Sequence, residues 1–378
     1  MKPKILVLGG AGMVGRNFVK FCVDNELCSY IRVADKSMPE ISYFNESHKA
    51  AFASDNVEYI QADLTRDVHV EKAFKPECGP YDYVFNLAGE TKCSLPESVY
   101  SAKCRDLSIK CAKKAQELDV KMFVEVSTAF VYKSQTKAPA SEDAALDPWT
   151  LQAKFKLQAR ALLDAVSPRK QAEEALRSMS GLNVVFVRPA TIYGPGDVMG
   201  LMPRIVCAAS YVQLKEKMKL LWDEELRVNT VHVHDVARAL WHVATQGQSG
   251  DVFNLADKND TNQGKLNAFL GQLFEIETGF IGKLISNLAR LRLGDVVDDV
   301  NDKHMKPWSD LCSIHGVTNT PLTPYLDKEL LAHHQLYIDG SKIELTGFEY
   351  VHPQLTLEEL RSVVEGAIAQ RIFPPILA

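Results

Sequence analysis

The feature that most constrains this chain is a strand, a glycine-rich turn and a helix packed into its first two dozen residues. Ile5-Leu6-Val7-Leu8 is a short apolar run that stops at glycines, and Val14, Phe18, Phe21 and Cys22 follow at helical spacing. A strand with four consecutive apolar residues needs cover on both faces. Helices must therefore lie above and below the sheet it joins. The rest of the chain repeats the alternation. Strand-like runs occur at 31–34, 57–60, 83–85, 122–124 and 183–187, with helix-like stretches filling much of the space between them. One of these, at 104–115, places Cys104, Leu107, Cys111, Ala112 and Ala115 on a single face. This order predicts an α/β protein with a parallel sheet. Beyond about residue 195 the alternation loosens. Helices are expected at 264–275 and 280–292, and Thr356-Leu357-Glu358-Glu359 is a capping box opening a last helix.

The turn itself, Gly9-Gly10-Ala11-Gly12-Met13-Val14-Gly15, suits a dinucleotide. Glycines at 9, 12 and 15 permit a tight turn, close approach of backbone to a pyrophosphate, and a helix packed near the sheet with its N–H groups toward the phosphates. Asp35 stands twenty residues beyond Gly15, at the end of the second strand. Its carboxylate can accept from a ribose 2′-hydroxyl and would repel a 2′-phosphate, which favours NAD over NADP although Lys36 adjoins it. Asp63-Leu64 follows the third strand, where it suits an adenine edge, with a plain turn or helix cap as an equal reading of Asp63. Asn86-Leu87-Ala88-Gly89 ends the fourth strand and can line the cofactor with small-residue backbone.

Composition narrows the class further. Over 378 residues, 48 acidic and 43 basic side chains give a charge of −5, which argues against a nucleic-acid partner. Eight cysteines lie scattered without C-x-x-C pairs, so reduced core thiols are expected rather than disulfides or a zinc site, and no metal is implied. No apolar run is long enough to span a membrane, and MKPKILVLGG enters the first strand without a leader-like segment. A soluble, cytoplasmic protein with a small-molecule substrate is the expectation.

The chain also resembles a family. The glycine stretch, Asp63-Leu64, Asn86 to Gly89, Ser127-Thr128-Ala129-Phe130-Val131-Tyr132 and Arg188-Pro189-Ala190-Thr191-Ile192-Tyr193-Gly194-Pro195-Gly196-Asp197 are similar to landmarks of the extended short-chain dehydrogenase/reductases, the NAD-dependent epimerase/dehydratase family. Later segments, Val231 to Ala237, Val252 to Leu255, Ser341-Lys342 and Leu345 to Phe348, continue the likeness in order. The resemblance implies a doubly wound Rossmann domain over 1–195, with returning segments near 228–258, and a smaller, mainly C-terminal substrate lobe from 196–227 and 259–378. It also implies NAD as cofactor, contacted by Gly9, Gly12, Met13, Val14, Gly15, Asp35, Asp63, Leu64, Leu87, Ala88, Gly89 and Pro189. Thr128 matches the hydroxyl that bonds the reacting oxygen. A homodimer through helices near 97–117 and 150–178 is possible.

One element of the family's pattern is absent. Its Tyr-x-x-x-Lys should follow Thr128 by a couple of dozen residues, and the segment reads Pro148-Trp149-Thr150-Leu151-Gln152-Ala153-Lys154-Phe155-Lys156. Lys156, 28 residues after Thr128, is nearest the family spacing and puts Gln152 at the tyrosine position. Lys154 puts Thr150 there and Lys170 puts Val166 there, so no register restores the acid/base. A substitute is required if the protein turns over: a lysine, a water, or a carboxylate such as Glu90. Glu125 interrupts an apolar run and is expected to reach solvent at the strand end. His232 and His234 alternate in a strand-like segment and read as packing residues. Arg204, Arg227 and Arg238 are available to a diphosphate. Three functions follow: hydride transfer on a nucleotide sugar or other hydroxy/keto substrate with a modified acid/base, chemistry on an apolar alcohol resembling the 3β-hydroxysteroid dehydrogenases, or non-catalytic NAD(H) binding by a sensor or assembly subunit. The stretch 280–289 could line an apolar pocket or touch a membrane surface, but a core-facing helix is its simpler reading.

Overall fold

The computed structural model describes residues 2–75, 79–164, 181–289 and 293–378. The first half alternates as expected: β1 (Lys4–Leu8), α1 (Met13–Asp24), β2 (Tyr30–Asp35), α2 (Glu46–Phe52), β3 (Val57–Gln61), α3 (Asp67–Ala73) and β4 (Tyr83–Asn86). A helical run follows, α4 (Glu97–Tyr100) and α5 (Leu107–Glu117), joined through a π-helical stretch at Ser101–Asp106. Then come β5 (Met122–Val126), α6 (Leu151–Asp164), β6 (Val184–Pro189), β7 (Thr191–Tyr193), α7 (Met202–Leu214), β8 (Met218–Leu220), β9 (Thr230–His232), α8 (Val233–Gln246) and β10 (Val252–Leu255). The chain closes with α9 (Gln263–Phe274), β11 (Thr278–Phe280), α10 (Lys283–Ala289), α11 (Leu293–Ile314) and α12 (Leu357–Ala369).

Seven strands form one sheet in the order β10-β6-β5-β4-β1-β2-β3, every adjacent pair parallel. The order reverses between β1 and β4, and in a doubly wound sheet a ligand crevice opens at the strand C-termini beside such a switch point. Because β-strand side chains alternate, the sheet feeds two cores. Ile5, Val7, Val33, Phe85 and Val124 pack against α1 and α8, while Leu6, Leu8, Val84 and Phe123 pack against α5 on the other face. This is why β1 is apolar and buried at every position from Ile5 to Leu8. A third core joins α7, α9, α11 and α12 through Ile205, Leu266, Leu270, Trp308, Val364 and Phe373.

Among the described residues no helix is long and apolar enough to cross a membrane. The seven described cysteines are free, six of them buried, and Cys78 lies outside the described residues. Thr356 and Glu359 form the expected capping box at the start of α12.

The segment 280–292 departs from expectation. Phe280 ends a strand, Gly282 turns the chain with φ of +90°, and the helix begins only at Lys283. α10 buries Ser286, whose hydroxyl accepts the Trp222 N–H at 2.8 Å. Leu284 and Ile285 therefore face outward, 79% and 57% exposed, where a core-facing helix was expected.

Candidate active site

A cleft of about 660 Å³ opens at the C-terminal edge of the sheet, between the strands and the third core of α7, α9, α11 and α12. The glycine turn forms its floor. Gly9 has φ of +76°, and a Cβ there would sit 2.6 Å from the Ala88 nitrogen; a Cβ on Gly15 would sit 2.4 Å from Gly10 Cα. These two glycines let β1, β4 and α1 approach one another. Gly12 is different: its Cβ would meet only the Gly9 carbonyl, at 3.3 Å. No side chain caps α1, so its first N–H groups remain for an anion at the positive end of the helix dipole.

Two side chains hold the turn. Asp35 accepts from the Ala11 N–H at 3.0 Å and the Ser37 N–H at 2.9 Å, and burial pushes its carboxyl up against those bonds. Arg16, on α1, is the one that sequence reasoning missed. It is 8% exposed, donates to the carbonyls of Ala11 (2.9 Å), Gly12 (3.3 Å) and Tyr43 (3.1 Å), and lies over the Phe44 ring. Burial lowers it to about 10. By taking the carbonyls from behind, Arg16 helps fix the orientation of the turn.

Of the three lysines weighed from the sequence, Lys156 lines the cleft. It is 7% exposed, reaches from α6 to donate to the Val126 carbonyl at 2.7 Å, and lies 3.5 Å from Glu125. Lys154, two positions earlier, points outward to Glu97, and Lys170 falls outside the described residues. Gly89 packs against Lys156: a Cβ there would touch its Cε and Nζ at 3.4 Å. Glu125 corrects the expectation of a solvent-facing charge. It is 1% exposed and accepts from Asn86 Nδ2 (2.6 Å) and Ser108 Oγ (2.9 Å). Burial raises its carboxyl, opposed by the Lys156 charge and these bonds. Helix α5 brings Ser108 beneath the strand, so a strand-interior carboxylate finds partners without water.

Thr128 is half-buried and caps a short turn by accepting the Phe130 N–H at 3.2 Å, which leaves its own proton free for the cleft. Gln152 stands where the resemblance expects tyrosine, and its amide donates to the Glu90 carbonyl at 2.8 Å. Met13, Val14, Asp63, Leu64, Leu87, Ala88 and Pro189 line the same cleft. Asp63 spends one oxygen on the N–H and hydroxyl of Thr65 as a turn residue.

The sequence profile of the NAD dependent epimerase/dehydratase family matches residues 5–256. The chain belongs to that family. Among relatives of this family member, mouse dTDP-D-glucose 4,6-dehydratase is 23% identical over 264 residues, 67% of each chain. An Arabidopsis thaliana 3beta-hydroxysteroid-dehydrogenase/decarboxylase is 26% identical over 247 residues, 62% of this chain and 52% of its own. A crystal structure of the Streptomyces venezuelae dTDP-glucose 4,6-dehydratase, a double mutant with NAD bound, superposes with a TM-score of 0.69 at 18% identity, covering 97% of this chain and 98% of that one. NAD is the family's cofactor. The open side of Gly12, the uncapped start of α1 and the Asp35 carboxylate fit it here.

The remaining titratable groups decide what this family member can do without the tyrosine. For Glu90, burial works to raise the carboxyl, but Lys103 at 2.8 Å and the Lys92 N–H hold it below the usual range, which makes it a poor proton acceptor. Burial keeps the Cys93 thiol protonated, up to about 12. His334 stands apart. Its Nε2–H donates to the Tyr132 carbonyl at 3.2 Å, and its ring stacks on Trp149 at 4.4 Å, which in turn packs on Phe130 at 4.7 Å. Burial lowers it, partly opposed by the Tyr132 carbonyl and Asp147, so the ring is neutral at pH 7. With the proton fixed on Nε2, Nδ1 keeps its lone pair, and nothing among the described residues bonds it.

The three arginines separate as well. Arg227 is paired with Asp260 at 3.0 Å and lies over the Tyr337 ring, and Arg238 is paired with Asp235 at 3.2 Å. Arg204 lines the cleft, and its side chain makes no hydrogen bond or ion pair among the described residues. Buried Asp197 places it by accepting the N–H groups of Met199, Gly200, Leu201 and Met202 and so building the turn into α7.

Proposed function

We propose that the protein is an NAD-dependent enzyme that oxidises a hydroxyl of a nucleotide sugar, using His334 in place of the tyrosine. The unpaired guanidinium of Arg204, in the same cleft as the dinucleotide turn, carries the reading. Burial lowers Arg204, opposed by Cys207 and Asp197 only through space, and a half-buried cation without a hydrogen-bonded anion is costly until one completes it. The mouse relative is named for a nucleotide sugar and the Arabidopsis relative for a steroid. A nucleoside diphosphate offers Arg204 its anion, whereas an uncharged steroid offers none.

NAD, when bound, supplies the electron acceptor. His334 Nδ1 takes the proton of the substrate hydroxyl, and its Nε2–H stays on the Tyr132 carbonyl. Thr128 donates a hydrogen bond from its hydroxyl to the same substrate oxygen. Lys156 is held at the end of β5 by the Val126 carbonyl and Glu125. Gln152 exchanges no proton and fixes the backbone of Glu90.

Incubation with NAD and dTDP-glucose, UDP-glucose, UDP-N-acetylglucosamine or the steroid pregnenolone, followed at 340 nm and by thermal shift, tests the reading. A nucleotide sugar should raise Tm and form NADH, and Arg204→Ala should weaken its binding roughly 10–100-fold, the loss of a charge-assisted bond of about 1.5–3 kcal/mol. NAD reduction by pregnenolone overturns the substrate class. Tight NADH binding with no turnover on any probe overturns catalysis in favour of a sensor or assembly role.

A further inference from the structure

Behind the glycine turn lies a second cavity, of about 410 Å³, bounded by Arg16, Tyr43, the Pro195–Val198 turn and α12. Three histidines meet at its wall. His232 ends β9, His234 sits in the first turn of α8, and His352 lies just before α12. One ring nitrogen from each lies within 4.8 Å of the other two, and the ring centroids are 3.8, 5.0 and 5.7 Å apart. This is a meeting of separate chain segments, and the structure builds it deliberately. Buried Asp235 accepts the backbone N–H groups of Val351 and His352 at 2.8 Å each, clamping the His352 segment onto the start of α8.

The hydrogen bonds around the rings set their donor atoms. His352 Nδ1 bonds Glu359 Oε1 at 2.9 Å, and the other Glu359 oxygen accepts from the Tyr193 hydroxyl at 2.9 Å and the Thr356 N–H at 3.1 Å. A carboxylate on Nδ1 fixes the proton there and turns the Nε2 lone pair outward, the arrangement that orients histidine ligands at metal ions. The His234 ring bonds nothing among the described residues. His232 Nε2 faces Gly194, where a Cβ would lie only 2.9 Å away, so the glycine leaves that nitrogen uncovered. His232 Nδ1 accepts the His234 backbone N–H at 3.2 Å, a long bond.

We propose that His232, His234 and His352 bind one divalent transition-metal ion of the zinc class, with a cavity water as the fourth ligand. Tetrahedral Zn–N bonds of about 2.0–2.1 Å need donors about 3.4 Å apart. The rings therefore close by roughly 1 Å, and His232 moves its proton from Nε2 to Nδ1, giving up the long bond from His234. Three neutral imidazoles without thiolate suit zinc, copper, cobalt or nickel over magnesium or calcium. The ion would join β9, α8 and the His352 segment next to Arg16, the residue that holds the glycine turn. It is a site separate from the hydride-transfer cleft and does not depend on the function proposed above.

Titration of the tag-free full chain with Co²⁺ and Zn²⁺ tests the site by calorimetry and by Co²⁺ absorption at 500–650 nm. One equivalent should bind, with the intense visible bands of tetrahedral cobalt. Binding should fall at least 100-fold in His352→Ala and in His234→Ala, an exposed position whose loss should leave the fold intact. Glu359→Gln should weaken it about 10–100-fold as a positioning residue. Cys93→Ser, which removes the thiol from the Cys93, Asp327 and Glu329 group, should leave binding unchanged. Absence of a one-to-one complex tighter than 100 µM, or equal binding by His234→Ala, overturns the proposal.

Discussion

The cofactor side and the reaction side of one cleft are built by different rules. The cofactor side is local: Gly9, Gly12, Gly15, Asp35 and Arg16 lie within 27 residues, and almost every hydrogen bond that shapes the turn is made inside that stretch. The reaction side is assembled from afar. Lys156 answers to Glu125 and Val126, Gln152 to Glu90, and His334 to Tyr132 and Trp149. A locally encoded site is fixed by backbone geometry that only certain residues permit. An assembled site leaves room to exchange one proton carrier for another, provided the space and charge are kept. The missing tyrosine lies on the side where exchange is possible.

If this contrast holds, the largest damage comes from a side chain inside the turn. Gly15→Val would force a Cβ against Gly10 Cα, and backbone on both sides cannot yield. NADH binding, followed by fluorescence quenching, should fall more than about 100-fold (over ~2.7 kcal/mol) while far-UV circular dichroism persists. Retained tight binding would show that the turn does not hold the dinucleotide.

Next comes the buried pair. Lys156→Met strands Glu125, and breaking a buried ion pair costs about 3–5 kcal/mol. The pH dependence has a definite sign. Burial raises the folded-state pKa of Glu125, and without the lysine it rises further. Stability is then highest below the unfolded value of about 4.3 and is lost as pH climbs toward the folded value, by up to about 1.4 kcal/mol per pH unit. Urea unfolding at pH 5 and 8 should show the larger deficit at pH 8, and adding Glu125→Gln should flatten the curve. A deficit equal at both pH values would mean that Glu125 is not the group left stranded.

A comparable effect on rate is expected from the proposed proton carrier. His334→Asn keeps a hydrogen-bonding side chain but no base, and should lower kcat/KM by about 10²–10⁴-fold on whichever probe turns over. In the unsubstituted protein kcat/KM should rise with pH through a pKa below 6.5 and then level off, because burial lowers this histidine and only its neutral form accepts a proton. A variant that keeps both rate and profile would return the role to a bound water.

What the sequence disclosed follows the same division. The glycine turn, Asp35 and the six strands were legible because each is a pattern over a few neighbouring residues. Glu125 misled because its partners, Asn86 and Ser108, lie 39 and 17 residues away, and a charge in an apolar run reads as a strand end when α5 is not in view. The outward faces of Leu284 and Ile285 were hidden for a related reason: the contact that orients α10 is Ser286 with Trp222, 64 residues earlier. Arg204 looked ordinary beside Arg227 and Arg238 until Asp260 and Asp235 were seen to neutralise the other two. His334 sits 202 residues from the carbonyl that fixes its tautomer. For Arg16 a signal did exist, a cation at the start of a helix otherwise expected to bury its face.

The smallest effect is the sharpest test of register, because it compares two lysines one residue apart from being neighbours. Lys154 and Lys156 are equally charged, and each stands four residues after a polar side chain that cannot replace tyrosine near neutral pH, Thr150 and Gln152 respectively. They differ in direction: Lys154 meets Glu97 at 2.8 Å with both side chains substantially exposed, whereas Lys156 is enclosed between β5 and Gly89. Water screens the outer pair and the ordering of two long side chains offsets its attraction, so Lys154→Ala should cost under about 0.5 kcal/mol and fade further in 0.5 M salt. Its NADH affinity should match that of the unsubstituted protein. If instead Lys154→Ala loses cofactor affinity and Lys156→Met keeps it, α6 presents its other face to the cleft, and the assignment of Gln152 to the tyrosine position falls with the register.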